Sequence, residues 1–404
     1  MNGVAGALRR KGELMEAERY AREALAIGRR RLGPEHVEVA RSLALVGGVL
    51  TAQGRYPEAE GVYREACALS RRVSGERSQE SADKLGGLGA VLLYQGRYDE
   101  AADVLREYLS IYREALGDTN RETIQAFNDL GAALVYQGKY GEAEPVLRQA
   151  LAGDKALLGP RHPDLVGMLL NLGVVAGHLH GFADQEILYR EALEIARHTG
   201  GGPHPDLGAC VASLATCLAR QRRLVEAEPL YREAIQIQRS DAGAAKTDLF
   251  FTLSRFSTSL QGAGRFVEAE ALAREAVALG RKTLPPDGPD QAYLESVLGA
   301  ALAGLKRFAE GEPLLLTSQS TLAGVPGKSR EAIETLRSIV AMYEAWGKPE
   351  KARVWRAKLE AQPSSRPPPS SSIGSRPPFV KDVSPKLSRP TPIRRSSSST
   401  RSAT

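Results

Sequence analysis

Hydrophobic positions along this chain keep a fixed distance from a recurring turn. Before Gly96 they fall eleven, eight and four places upstream, at Leu85, Leu88 and Leu92; before Gly138 they are Phe127, Leu130 and Leu134. Steps of three and four put each trio on one stripe of an α-helix. Seven places upstream, on that stripe, sits a small residue: Gly47, Gly89, Gly131, Gly173, Ala215, Ser257 and Gly299 in turn. Glycine inside a helix costs about 1 kcal/mol relative to alanine. Its return at a buried position predicts a second helix crossing there at close range. That helix follows the turn. It opens with an aromatic residue or Leu (Tyr56, Tyr98, Tyr140, Phe182, Leu224, Phe266, Phe308) that fills the turn. It then carries small Ala five and twelve places after the turn, as at Ala59 and Ala66 or Ala143 and Ala150. These alanines are expected to face the glycines.

The turn is itself the anchor of a repeat. Gly12-Glu13-Leu14-Met15-Glu16-Ala17 returns around Gly54, Gly96 and Gly138, and in degenerate form at His180, Arg222, Gly264 and Lys306, each 42 residues after the last. A ninth copy, Gly347 to Ala352, comes one residue early. A period of this size marks a stacked array in which no unit buries its stripe alone. Linkers such as Gly159-Pro160-Arg161-His162-Pro163 end one unit. An acidic residue (Glu38, Glu80, Glu122, Asp164, Asp206, Asp248, Asp290) then opens the next helix, where it faces the positive helix end and contributes about 0.3–1 kcal/mol. The expected fold is an all-α solenoid of about eight to nine helix–turn–helix units over residues 1–360. The first unit is truncated, with only Met1 to Lys11 before its anchor. Continuation upstream, or docking of a partner or self-association at this N-terminal end, is one expectation from that.

This combination resembles the tetratricopeptide repeat (TPR), and the 42-residue period with His-Pro-Asp linkers resembles its kinesin light chain type. The likeness is sharpest from 120 to 240, in Leu169-Leu170-Asn171-Leu172-Gly173, Glu142-Ala143-Glu144-Pro145 and Tyr231-Arg232-Glu233-Ala234. The resemblance implies a right-handed superhelix whose concave surface, lined mainly by the first helix of each unit, binds an extended peptide or a partner helix. It would place the positions ten and six before each anchor in that groove, from Ala44 and Gly48 through Asn128 and Ala132, Leu170 and Val174, to Ser296 and Ala300. Family members that clamp a peptide's terminal carboxylate use Lys, Asn and Arg at such positions. Here no Lys or Arg stands there before Arg337, which argues against that activity. Kinesin light chain members show paired Asn residues in this helix, to which Asn128-Asp129 and Asn171 are similar. The candidate groove lining is Tyr94, Gln125, Asn128, Asp129, Tyr136 and Asn171.

The net charge of +6 is not shared by the repeats. Residues 361–404 hold eight Lys or Arg against one acidic residue, Asp382, whereas residues 1–360 hold 46 basic and 47 acidic residues. With 13 Ser and nine Pro, this tail cannot bury a core and is expected to be disordered. Basic residues before Ser, and the pairs Ser384-Pro385 and Thr391-Pro392, make Ser384, Thr391, Ser396 and Ser397 candidate phosphorylation positions. Each phosphate would add about −1.5 to −2 charges. Nucleic-acid binding could arise only through this basic tail, and with Phe379 as its one aromatic residue it lacks support from stacking. Three cysteines, Cys67, Cys210 and Cys217, show no metal or disulfide spacing and are expected to be buried thiols. No run approaches the ~20 apolar residues of a membrane span. Val4 to Leu8 is too short for a signal-peptide core, so the expected compartment is the cytoplasm.

Candidate chemistry is sparse. His162 and His204 precede Pro in linkers and are expected to shape turns. His178 and His180 sit at a helix end with no Cys or carboxylate at ligand spacing. Glu142 and Glu144 recur with the period, which suits surface or turn-capping residues better than an acid/base pair. Gly200-Gly201-Gly202 lacks the Lys-Ser/Thr of a phosphate loop, and Gly86-Gly87-Leu88-Gly89 falls inside a helix. No nucleophile, base, metal set or cofactor fingerprint emerges. The expected function is a non-catalytic scaffold binding a protein or peptide partner in the concave groove. The alternative is the sensor or regulatory portion of a larger signalling system such as a protein kinase.

Overall fold

The computed structural model of the chain describes residues 1–198, 206–240, 246–325 and 329–362, and their regular structure is entirely helical. Nine helices form the first members of successive pairs: α1 (Asn2–Lys11), α3 (Val37–Ala52), α5 (Gln79–Tyr94), α7 (Arg121–Tyr136), α9 (Leu165–Leu179), α11 (Leu207–Arg220), α13 (Lys246–Gly262), α15 (Pro289–Gly304) and α17 (Ser329–Ala345). Their partners are α2 (Leu14–Leu32), α4 (Tyr56–Ser74), α6 (Tyr98–Leu116), α8 (Tyr140–Leu158), α10 (Phe182–Arg197), α12 (Leu224–Ser240), α14 (Phe266–Thr283), α16 (Phe308–Leu322) and α18 (Pro349–Glu360). Each helix packs on the next in the chain, and each inner, odd-numbered helix packs on the next inner one. The exception is α9 and α11, which make little contact. The result is a right-handed solenoid of nine units.

The turns explain the anchor residues. Gly54, Gly96, Gly138 and Gly264 are left-handed, with φ of +77°, +75°, +74° and +76°. A residue without Cβ adopts that conformation at least cost. Arg222 and Lys306 take it despite their side chains, at +65° and +62°. The fifth turn departs from the expected register. His180 stays at φ −119°, and Gly181 carries the positive φ of 103° instead. The strained conformation has moved to the residue that tolerates it, and α10 still begins two places after the anchor position.

Close packing accounts for the glycine seven places before each turn. A Cβ on Gly47 would lie 2.8 Å from the Tyr63 ring, on Gly89 2.6 Å from Leu105, and on Gly299 2.9 Å from Leu315. Gly131 and Gly173 meet Leu147 and Tyr189 in the same way. All five partners stand nine places after the turn. This shifts the expected pairing: the space opened by each glycine is filled by that bulky side chain, not by the alanines. The residue five places after the turn does lie against the same backbone. Gly311 abuts Gly299, and Ser257 Oγ donates to the Ala269 carbonyl at 2.8 Å. Where Ser257 replaces the glycine, the residue nine places after the turn shrinks to Ala273, which is buried. Volume is conserved across the pair.

Two ladders of ion pairs join successive outer helices. In the first, the residue after a turn reaches back to a glutamate of the preceding unit: Arg55 to Glu18 at 2.9 Å, Arg97 to Glu60 at 2.7 Å, Arg223 to Glu186 at 2.7 Å, and Arg265 to Glu228 and Arg307 to Glu270 at 2.5 Å. Glu144 belongs to this row, holding His180 Nε2 at 2.9 Å and Arg148 at 2.7 Å. The second ladder joins Arg71 to Glu107, Lys155 to Glu191 and Arg239 to Glu275 at 2.6 Å, and Arg197 to Glu233 at 2.7 Å. Partly exposed pairs contribute about 0–1 kcal/mol each, so their weight lies in repetition. Both ladders are interrupted between units three and four, where Ala102, Lys139 and Gln149 occupy the positions of Glu, Arg and Glu. The expected acidic residues Glu38, Glu80, Glu122 and Asp290 stand in the first turns of α3, α5, α7 and α15, whereas Asp164 and Asp206 stand just before α9 and α11; Glu80 also binds Arg41 at 2.9 Å.

Gly89→Ala tests the packing. Helix propensity alone would stabilise α5 by about 1 kcal/mol. The overlap with Leu105 should instead lower stability by about 1–3 kcal/mol, read from the urea midpoint at constant m. Adding Leu105→Ala should cost less than the two single changes summed. A wild-type midpoint for Gly89→Ala would remove this account of helix spacing.

Candidate functional site

The candidate groove residues separate into two groups. Tyr94 and Tyr136 are held in ring stacks between units: Tyr56 lies on Tyr94 and Tyr98 on Tyr136, each with centroids 5.2 Å apart. The row continues with Tyr140 on His178 at 3.5 Å, the Arg220 guanidinium over Phe182 at 5.4 Å, and, in the last units, Phe308 on Trp346 at 5.2 Å. In the eighth unit the row has Gly304, whose missing Cβ leaves room for Phe266. The aromatic residue after each turn therefore does more than fill its own turn; it bonds one unit to the next.

Gln125, Asn128 and Asp129 come together on α7, and Asn171 takes the place on α9 equivalent to Asp129. Gln125 Nε2 donates to Asp129 Oδ1 at 2.7 Å. Asn128, Asp129 and Asn171 are 5%, 3% and 1% exposed. Asn128 Oδ1, Asp129 Oδ2 and Asn171 Nδ2 are buried without a hydrogen-bond partner in the protein. Burial pushes the Asp129 carboxyl up to about 7, against the hydrogen bonds from Gln125 and Asn128 that favour its ionised form. Nearby, the buried Tyr108 ring packs on Gly86, and the Tyr112 hydroxyl donates to Asp83.

The concave positions expected from the resemblance are not uniformly open. In units two to five Gly48, Ala90, Ala132 and Val174 are buried, as are Ala44 and Leu170. From unit six onward the same row is accessible, at Thr216, Thr258 and Ala300. Burial, with the Arg330 guanidinium at the start of α17 adding to it, depresses His178 to about 3 and Arg220 to about 10. Arg330 also opposes the rise that burial gives Tyr140, and Asp290 and Glu331 add to the rise that burial gives Tyr98. Charges of units eight and nine thus act on groups of units three to six.

Sequence reasoning missed Arg220, Arg255 and Arg330. A signal existed for the first two. Nearly every outer arginine has a glutamate or aspartate three or four places away, but Arg220 and Arg255 have none. Arg220 also replaces an aromatic ring in the stacking row.

Other candidates have structural places. Cys67, Cys210 and Cys217 are buried free thiols, and burial raises Cys67 and Cys217 to about 11. His162 Nδ1 accepts the Asp164 backbone N–H at 3.2 Å, shaping the linker as expected. Among the described residues no three His, Cys, Asp or Glu side chains converge as a metal would require, and no helix is long and apolar enough to cross a membrane. His204, Gly200-Gly201-Gly202, Ser384, Thr391, Ser396 and Ser397 lie outside the described residues.

A stack of helix pairs with left-handed turns, close-packed glycines and a periodic concave face defines a helical repeat protein. Family models described as tetratricopeptide repeat match residues 1–72, 80–156 and 164–240, and further ones match 128–199 and 252–290. The chain belongs to the tetratricopeptide repeat family. Similar solved structures include the apo form of the quorum sensor NprR from B. thuringiensis, 12% identical with a TM-score of 0.58 over 87% of this chain and 98% of that one. NprR in complex with its cognate peptide NprX is 13% identical, with a TM-score of 0.53 over 78% and 89%. A Podosopora anserina putative kinesin light chain with nearly identical TPR-like repeats is 17% identical, with a TM-score of 0.33 over 61% and 97%. At these identities the likeness concerns the fold. No curated protein matches the chain.

Asp129 makes stability depend on pH in a defined direction. Its folded pKa lies above the unfolded value of about 4, so between about 4 and about 7 the folded chain holds a proton that the unfolded chain releases. Its contribution is therefore fully present below pH 4 and is lost as pH rises through 7. Asp129→Asn should abolish this, gaining about 1–3 kcal/mol on wild type between pH 4 and pH 8 in denaturant unfolding. Parallel pH profiles for the two proteins would refute the buried, protonated carboxyl.

Proposed function

We propose that this protein is a non-catalytic scaffold that binds an extended peptide segment of a protein partner along its concave face. The observation that carries this reading is the set of orphaned polar atoms on consecutive inner helices: Asn128 Oδ1, Asp129 Oδ2 and Asn171 Nδ2. A buried polar atom without a partner costs about 1–3 kcal/mol, and the N–H and C=O groups of an extended chain are the partners that these atoms on α7 and α9 lack. Asn128 offers an acceptor and Asn171 a donor. Asp129, with a pKa of about 7, can serve as either near neutrality.

Access to these atoms requires the solenoid to open. Repeat arrays open by small displacements at each interface. The junction between units three and four, where neither outer ladder is completed, lies beside Asn128 and Asp129 and is the place where opening meets least resistance. NprR, whose fold is similar, has been solved with a bound peptide, which is compatible with this use of the concave side.

The test is retention of a degenerate library of extended peptides by the full chain. Asn171→Ala should reduce binding by about 5–10-fold, the loss of roughly one hydrogen bond, while the unfolding midpoint shows the array still folded. Absence of any retained peptide would overturn the reading. So would undiminished binding by a variant with both Asn128 and Asn171 changed to Ala.

A further inference from the structure

The face that unit one turns away from unit two has its counterparts inside the array. Eight places before each turn stands an apolar residue on the side of the preceding unit. Phe256, for example, stacks on Tyr231 of α12 with ring centroids 4.9 Å apart. In units two to nine this position, from Val46, Leu88 and Leu130 to Ile339, is at most 7% exposed. In unit one it is Val4, which is 49% exposed. Repeat arrays stay soluble when their end faces are polar, and this end face carries an uncovered apolar side chain.

The first outer ladder indicates what fits there. Its cations stand one place after a turn, at Arg55, Arg97, Arg223, Arg265 and Arg307, and its carboxylates six places after the preceding turn, at Glu18, Glu60, Glu186, Glu228 and Glu270. Two positions reverse the sign. In unit one the residue after the turn is Glu13, with φ and ψ of −80° and 62° against −85° and 59° for Arg55. Its side chain therefore leaves the backbone as Arg55 does when it reaches back to Glu18. In unit nine the residue six places after the turn is Arg353. Both are exposed. Among the described residues Glu13 enters no ion pair, and Arg353 has only the exposed Glu350 of its own helix, at 2.9 Å.

We propose that unit one of one copy of this chain docks on unit nine of another, head to tail, with Val4 against α18 and Glu13 paired with Arg353. The contact continues the stacking already present between units, and its rung repeats that of Arg55 and Glu18 with the two charges exchanged. The exchange selects the occupant. Of the chain's outer helices only α18 presents a cation six places after its turn; the others present Glu or, in α6, Ala102. A head-to-tail contact joins unlike surfaces, so copies add in series or close a ring. The concave faces of successive copies then run on as one groove.

The experiment is sedimentation velocity of the full chain over a wide range of concentration, at low and high salt. The mass should rise above that of one copy as concentration increases. Glu13→Arg and Arg353→Glu should each weaken association about fivefold, with the effect shrinking as salt rises. The double variant, and an equimolar mixture of the two single variants, should regain it. Val4→Ser should weaken association whatever the charges, while its unfolding midpoint shows the array still folded. A mass of one copy at every concentration overturns the proposal, as does undiminished association of folded Val4→Ser. A loss with Glu13→Arg but not with Arg353→Glu shows that unit nine is not the partner. Failure of the mixed variants to recover overturns the pairing of Glu13 with Arg353.

Discussion

The missing side chain at one position of five inner helices sets how near their outer helices can come. Gly47 receives the Tyr63 ring, Gly173 receives Tyr189, and Gly89 and Gly131 receive Leu105 and Leu147. Because Tyr63 also lies against Gly87 of the following unit, one ring controls two spacings at once. Helix distance, the direction of the left-handed turn and the reach of the next unit all follow from that contact. At Ser257 and Ala273 both members of the pair change, as suits a close-packed interior.

On this spacing two kinds of inter-unit bond are built, one on each side. Stacked rings run along the inner side, from Tyr56 and Tyr94 to Phe308 and Trp346. Arginine–glutamate pairs run along the outer side and are individually weak. The inner side is not chemically uniform. The helix α7 holds the buried Asp129, whereas at Arg220 the row of stacked rings is continued by a guanidinium lying over Phe182.

Architecture was legible because it is local. Apolar steps of three and four, the anchor glycines at 54, 96, 138 and 264 and the acidic first turns of α3, α5, α7 and α15 are each decided within one unit, and the structure places them as expected. What escaped was decided between units. The glycine partner nine places after the turn could not be distinguished by spacing from the alanines at five and twelve. Tyr94 and Tyr136, read as groove residues, are stacked on rings from the preceding unit. The burial of Leu170 and Val174 depends on the elements packed round α9 rather than on α9 itself, and no spacing within the helix carries that. Arg220 shows the intermediate case: the loss of an aromatic residue from a regular row was visible, but not that its guanidinium would lie over Phe182.

The first outer ladder counts residues. Arg55, Arg97, Arg223, Arg265 and Arg307 each find a glutamate 37 positions earlier, and the second ladder counts 36. A single inserted or deleted residue between the two ends of either span would put a cation opposite the wrong side of the neighbouring helix, and the error would pass to the stacked rings beyond it. Where the count does slip, the ladder changes its members: His180 reaches Glu144 over 36 positions, and in the ninth unit, whose anchor comes one residue early, Lys351 reaches Glu312 over 39. Change of length is therefore quantised: the array can gain or lose whole units far more readily than single residues.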